Sequence, residues 1–145
     1  MKIYTIGFTG KTAGYFFSKL KNSDAKKLID IRINRTSQLA GFAKEQDLEY
    51  LLGNLSNLDY QINSDLAPTK ELLSRYRREE IDWETYSYEY ISLIESRNII
   101  KTLGKEYFSD SVLMCSESTP EFCHRRLLTD LLSKYFNDLE INHLL

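Results

Sequence analysis

The chain is poor in the residues that build specialised folds, with two cysteines, two prolines, two histidines, one tryptophan and six glycines among 145 residues. Two cysteines, Cys115 and Cys123, are too few for a secreted disulfide scaffold. They suit a reducing compartment where thiols serve chemistry or packing, and the count is also compatible with one internal disulfide. No uncharged apolar run exceeds a few residues, and no transmembrane span or signal-peptide core follows the strand-like start Met1-Lys2-Ile3-Tyr4-Thr5-Ile6. A cytoplasmic location and no membrane partner are therefore expected. A dominant charge is missing too: 19 Lys and Arg against 21 Asp and Glu leave a formal net charge of -2. That balance supplies no global field toward nucleic acid or anionic lipid, so any polyanion site must be a local patch.

What is present is ordinary globular composition, 42% hydrophobic and 28% charged, which excludes disorder and fibrous or repeat architectures. The length suits one domain, residues 1–145, and is too short for a two-domain enzyme with its own cofactor module. Ile3 to Ile6 reads as a short strand stopped by Gly7, and a helix follows from about Thr12 to Lys21 with Tyr15, Phe16 and Leu20 at helical spacing. Leu28-Ile29-Asp30-Ile31 is a second strand, and Leu48, Leu51, Leu52 and Leu55 mark another amphipathic helix. Tyr60-Gln61-Ile62 is a weaker strand, and residues from Lys70 to about Gly104 read as helical in two pieces, broken near Ile81 and Asp82. Ser111-Val112-Leu113-Met114-Cys115 is the third clear strand. Thr119-Pro120-Glu121 carries the signals of a helix start, with the helix running to about Phe136, and Glu140 to Leu145 reads as a last strand. Strands alternating with helices imply an α/β fold: a single three-layer domain with a mostly parallel sheet and helices on both faces.

Ligands of such sheets bind beyond the carboxyl ends of the strands. The pattern places Gly7, Asp30, Arg32, the segment Asp65 to Lys70, and Cys115-Ser116-Glu117 along that edge. The densest chemistry lies in Cys115-Ser116-Glu117-Ser118-Thr119-Pro120-Glu121-Phe122-Cys123-His124-Arg125-Arg126, where a strand-end thiol precedes a Cys-His-Arg triplet. A helix start and a nearby guanidinium favour an anion or a lowered thiol pKa. The segment is no phosphatase-type loop, because no glycine lets the backbone wrap a phosphate. Blander readings compete: Cys123 and His124 project from an apolar helical face as packing residues, Arg125 and Arg126 form a solvated basic pair, and Glu121 is a first-turn charge.

Cys115, Cys123 and His124 could hold zinc with one open position, the pattern of catalytic sites. Their spacing is unlike Cys-x2-Cys frameworks, and neighbours on a helix point about 100° apart, so no metal or cofactor is expected. Asp30 and Arg32 lie two apart and share one side of a strand, where the acid could orient the guanidinium toward an anion. Tyr76, Tyr86, Tyr88 and Tyr90 with Arg75, Arg77 and Arg78 mix aromatic and basic residues as a nucleobase surface would. Glu79, Glu80, Glu84 and Glu89 dilute that mixture toward a solvated helix face.

Taken together, Thr5-Ile6-Gly7, Ile29-Asp30-Ile31-Arg32, Gly41-Phe42-Ala43-Lys44, Leu66-Ala67-Pro68-Thr69-Lys70-Glu71-Leu72, Trp83 with Tyr86 and Tyr90, and the Cys115 to Arg126 segment resemble the domain of unknown function (DUF) 488 family. The resemblance implies a compact α/β fold with a polar pocket built from these motifs, and it carries no reaction. The stretch Ile33 to Phe42 departs from the commoner pattern of that family, in which a proline- and serine-rich loop follows the arginine.

The expected function is an enzyme acting on a phosphate-bearing substrate, a nucleotide or nucleic acid. Cys115 would be the nucleophile and Glu117 or His124 the acid or base. Arg32 and Arg125 would hold the anion, Asp30 would orient Arg32, and Gly7, Lys44 and Lys70 would complete the substrate site. The competing expectations are a non-catalytic nucleotide or nucleic-acid binding module and a metal-dependent hydrolase using Cys115, Cys123 and His124.

Overall fold

In the computed structural model, which describes residues 1–36 and 40–145, five strands form one sheet flanked by six α-helices. Ser37-Gln38-Leu39, within the stretch that departs from the family pattern, lies outside the described residues. The elements follow in the order β1 (Lys2–Gly7), α1 (Ala13–Lys21), β2 (Lys27–Asp30), α2 (Glu45–Leu51), β3 (Asp59–Ile62), α3 (Lys70–Arg77), α4 (Trp83–Ser96), α5 (Ile99–Phe108), β4 (Ser111–Cys115), α6 (His124–Tyr135) and β5 (Glu140–Leu144). The strand order is β3-β2-β4-β1-β5, and every pairing is parallel.

Alternation along the central strands sorts the core into two layers. Ile3, Ile29 and Leu113 face α3 to α6 with Tyr86, Tyr90, Ile94, Leu128 and Leu132. Tyr4, Leu28 and Val112 face α1 and α2 with Phe16, Phe17, Leu20 and Leu48. Strands covered on both faces explain the near-continuous apolar runs of β1, β2 and β4, each fully buried aliphatic side chain being worth about 1.5–3 kcal/mol. The architecture is thus the three-layer α/β domain that the alternating pattern implies.

Two boundaries differ from the sequence reading. The region from Lys70 onward forms three helices, not two, because Asn98 takes a left-handed backbone (φ 52°) between α4 and α5, and α5 then kinks at Gly104 (φ 78°). Helix α6 begins at His124 with Cys123 as its N-cap, so Thr119-Pro120-Glu121 does not start it. Phe122 adopts a left-handed φ of 54°, which stops any helix from Pro120 running on into α6. Helices α1, α3 and α4 have conventional N-caps: the Thr12, Thr69 and Asp82 side chains accept from the amides of Tyr15, Leu72 and Thr85.

Candidate functional site

The ends of β1, β2 and β4 are sewn together before any cavity forms. The Thr9 amide donates to the Ser116 carbonyl (3.1 Å), and the Ile31 amide donates to the Met114 carbonyl (3.1 Å). His124 Nε2 bonds the Ile31 carbonyl at 3.0 Å. A carbonyl only accepts, so Nε2 carries the proton and Nδ1 is left bare. Burial, helped by nearby Arg125 and opposed by the Ile31 bond, lowers the His124 pKa to about 4, so the ring is neutral at physiological pH.

Asp30 closes β2 inside the protein and gathers four donors. Arg32 Nε reaches one carboxylate oxygen at 2.9 Å and Arg32 Nη2 the other at 2.7 Å, a bidentate pair. The Arg32 amide (3.1 Å) and the Tyr60 hydroxyl (2.6 Å) complete the set. Burial first, then the hydrogen bond to Asp30 and its charge, raise the Tyr60 pKa, so the phenol remains a donor. The Arg32 guanidinium also lies 5.2 Å from the Phe8 ring centroid, which fixes its plane. Its Nη1 is buried and has no partner among the described residues.

A second buried arginine is arranged differently. Arg125 is 0% exposed, and its Nη1 donates to the Cys115 sulfur at 3.1 Å and to the Glu117 carbonyl at 2.5 Å. Among the described residues no carboxylate lies within ion-pair distance of it, and its Nε and Nη2 have no partner. An arginine stays protonated even when buried, and an unpaired buried charge is very costly, so the counter-charge has to be the sulfur. The thiol energetics agree. Burial pushes the Cys115 pKa up, but hydrogen bonds from Cys123 and Arg125, the Arg125 charge and the Glu117 amide outweigh it and bring the thiol to about 7. Burial, and then the neighbouring Cys115, push Cys123 the other way, so Cys115 is the thiol of the two that ionises first.

Gly7 is the reason this corner can form. A methyl group there would overlap the Glu117 carbonyl oxygen and sit 2.5 Å from the Arg125 guanidinium. The glycine admits a loop and a side chain, a close approach that no other residue permits.

In front of these groups lies a cavity of about 780 Å³. Its wall carries five cations, Arg32, Arg35, Lys70, Arg77 and Arg78, against two carboxylates, Glu45 and Glu117, in a protein whose formal net charge is -2. Lys70 and Arg77 make no ion pair among the described residues. Tyr76, Tyr86 and Phe122 supply an aromatic side, backed by Trp83, whose ring lies 5.5 Å from Tyr86 and 5.4 Å from Phe122.

Of the residues expected at the site, Arg32, Lys70, Glu117, Cys123 and His124 line this cavity. Asp30, Cys115 and Arg125 sit behind its wall, Gly7 packs under the Glu117 loop, and Lys44 lies off the lining beside α2. The zinc set is not assembled. Among the described residues no three His, Cys, Asp or Glu side chains gather to hold a metal, and a guanidinium on the Cys115 sulfur repels a cation. The aromatic and basic mixture of α3 and α4 divides in two. Tyr76, Tyr86, Arg77 and Arg78 face the cavity, whereas Tyr88 is exposed and Tyr90 is buried with its hydroxyl on the Leu66 carbonyl. Arg35 and Phe122 are cavity residues that the sequence reading did not single out. Phe122 could have been suspected only from its place beside Cys123, and Arg35 only from its closeness to Arg32.

The family model described as Domain of unknown function DUF488 matches residues 12–132. The match covers Asp30, Arg32 and the whole Cys115 to Arg126 segment, and it begins after Thr5-Ile6-Gly7. No curated protein and no solved structure matches. No helix among the described residues is long and apolar enough to cross a membrane.

Proposed function

The chain belongs to the family described as domain of unknown function DUF488, and from its site we propose that it binds a phosphate-bearing substrate with an aromatic ring, a nucleotide or a nucleic-acid end, in the cationic cavity. The carrying observation is Arg32. Its plane is fixed by Asp30 and Phe8, one donor is left without a partner, and Lys70 and Arg77 stand on the same wall. A guanidinium clamped in this way loses little entropy on meeting a phosphate, while Tyr76, Tyr86 and Phe122 offer faces for a base. A cytoplasmic location fits two free buried thiols.

Catalysis would use the Cys115 thiolate as nucleophile. Glu117, exposed at the cavity wall, is the better acid or base, because His124 is held neutral and one of its nitrogens is committed to Ile31. Cys115 is 1% exposed and lies behind Cys123, which favours the second reading, a binding module without turnover. Titration of nucleoside phosphates, followed by the fluorescence of Trp83 beside Tyr86, tests the binding. Affinity should fall with salt and drop roughly tenfold in Lys70→Ala. No response to nucleoside phosphates, inorganic phosphate or a 5′-phosphorylated oligonucleotide would remove the proposal. If turnover is found, Cys115→Ser separates the two readings: loss of turnover with binding intact makes Cys115 catalytic, and unchanged turnover excludes it.

A further inference from the structure

Phe122 stands on the cavity wall in a way that packing does not explain. Its backbone takes a left-handed φ of 54°, where glycine fits at little cost and a bulky aromatic residue is strained. Burial returns little of that cost, since the residue is 62% exposed. Its ring meets Trp83 at 5.4 Å with the two planes 86° apart. Such a perpendicular contact takes up one edge or one face of a phenyl ring, so at least one face of Phe122 is left uncovered by Trp83. The other two rings on this side show less surface: Tyr86 is 1% exposed and Tyr76 is partly buried. The turn at Phe122 is imposed from both ends. On one side Thr9, Lys11 and Arg125 donate to the carbonyls of Ser116, Ser118 and Glu117, and on the other Cys123 occupies the N-cap of α6. Held between these anchors, the ring is set in place before a ligand arrives, which lowers the ordering cost of binding.

Resting on the reading of the cavity as a phosphate site, we infer that Phe122 is its specificity-determining residue: the base of a nucleotide stacks on the open face of this ring, and a phosphate compound without an aromatic ring binds far more weakly. The same cavity, about 780 Å³ in volume, is lined by Phe122 and by Arg32, Lys70 and Arg77, and that is room for base, sugar and phosphate together. The cations meet the phosphate and the exposed ring meets the base, so each end of the ligand has a complementary surface. Stacking uses a π-face that every base has. Phe122 therefore selects for the presence of a base and not for its identity.

Calorimetric titration of the full chain with adenosine 5′-monophosphate and with ribose 5-phosphate tests this, because the two share a sugar and a phosphate and differ in the base. The wild-type chain should bind the nucleotide roughly tenfold tighter or more. Phe122→Leu, which keeps apolar bulk without a π-face, should bring the two affinities within about threefold of each other, and Phe122→Trp should restore the difference. A damaged fold lowers both affinities together, so their ratio separates stacking from structure. Stability gives a second readout: Phe122→Gly should unfold at a higher denaturant concentration than Phe122→Leu, since glycine takes a positive φ without steric cost. Equal binding of the two ligands by the wild-type chain, or a ratio that survives Phe122→Leu, would overturn the role of Phe122 and leave the phosphate site standing. The reverse order of stability would overturn it as well, by removing the strain it explains. Binding of neither ligand would overturn the phosphate site itself, and the role of Phe122 with it.

Discussion

Two buried arginines serve the same edge of the sheet, and they differ in what balances their charge. Arg32 has a carboxylate, Asp30, in bidentate contact, and its plane is steadied by Phe8. Arg125 has a sulfur and a carbonyl. The first corner is electrostatically closed at any pH where carboxylates are ionised, and one donor is left without a partner among the described residues. The second is closed only while a thiol is ionised, so its state follows pH. One cavity wall is thereby backed by one guanidinium whose charge is balanced across pH and by another whose balance varies with it.

The sharpest way to break this contrast is to remove Asp30. Asp30→Ala strands a buried guanidinium and the Tyr60 hydroxyl, and should cost about 3–5 kcal/mol in denaturant unfolding. The double variant with Arg32→Met should recover part of that loss, since it removes the orphaned charge. The Cys115 corner predicts a dependence on pH. Cys115 gives up its proton more readily folded than unfolded, so the thiolate's contribution is complete above the unfolded thiol range and is lost as pH falls through about 7. Wild-type stability should therefore rise between about pH 7 and 9, by on the order of 2 kcal/mol. At higher pH it should decline, because Cys123, kept protonated in the fold by burial and by Cys115, ionises freely once unfolded. Arg125→Met should flatten the rise, and thiolate absorbance should show Cys115 titrating at or above the usual thiol range. Gly7→Ala cannot leave the second corner in place: the methyl group would overlap the Glu117 backbone carbonyl, so the loop must shift, at a cost of about 3 kcal/mol or more, with a raised Cys115 pKa and an undisturbed Asp30–Arg32 pair.

Much of the scaffold was legible beforehand. The apolar runs at Ile3, Leu28 and Val112 could only be strands covered on both faces, and the spacing of Phe16 with Leu20 could only be one side of a helix. The same-side placement of Asp30 and Arg32 followed from strand periodicity, and the bidentate pair realises it. The α6 boundary was not legible. Thr119-Pro120-Glu121 carries local helix-start signals, yet the loop is pinned by the Thr9 amide on Ser116, the Lys11 ammonium on the Ser118 carbonyl and Arg125 on Glu117, contacts from distant parts of the chain. Once that loop is held, the helix starts at His124, and Cys123 moves from an expected apolar face to a cap at the cavity wall.

Composition and periodicity thus determined an α/β domain with its polar residues gathered at one sheet edge, because burial on two faces leaves few other ways to satisfy such a pattern. Which of those residues meet solvent and which stand behind the wall was decided by the tertiary structure. Packing sets the surroundings of each charge, and it is the surroundings of Arg125, a sulfur with no carboxylate in ion-pair reach among the described residues, that bring the Cys115 thiol down toward neutral pH.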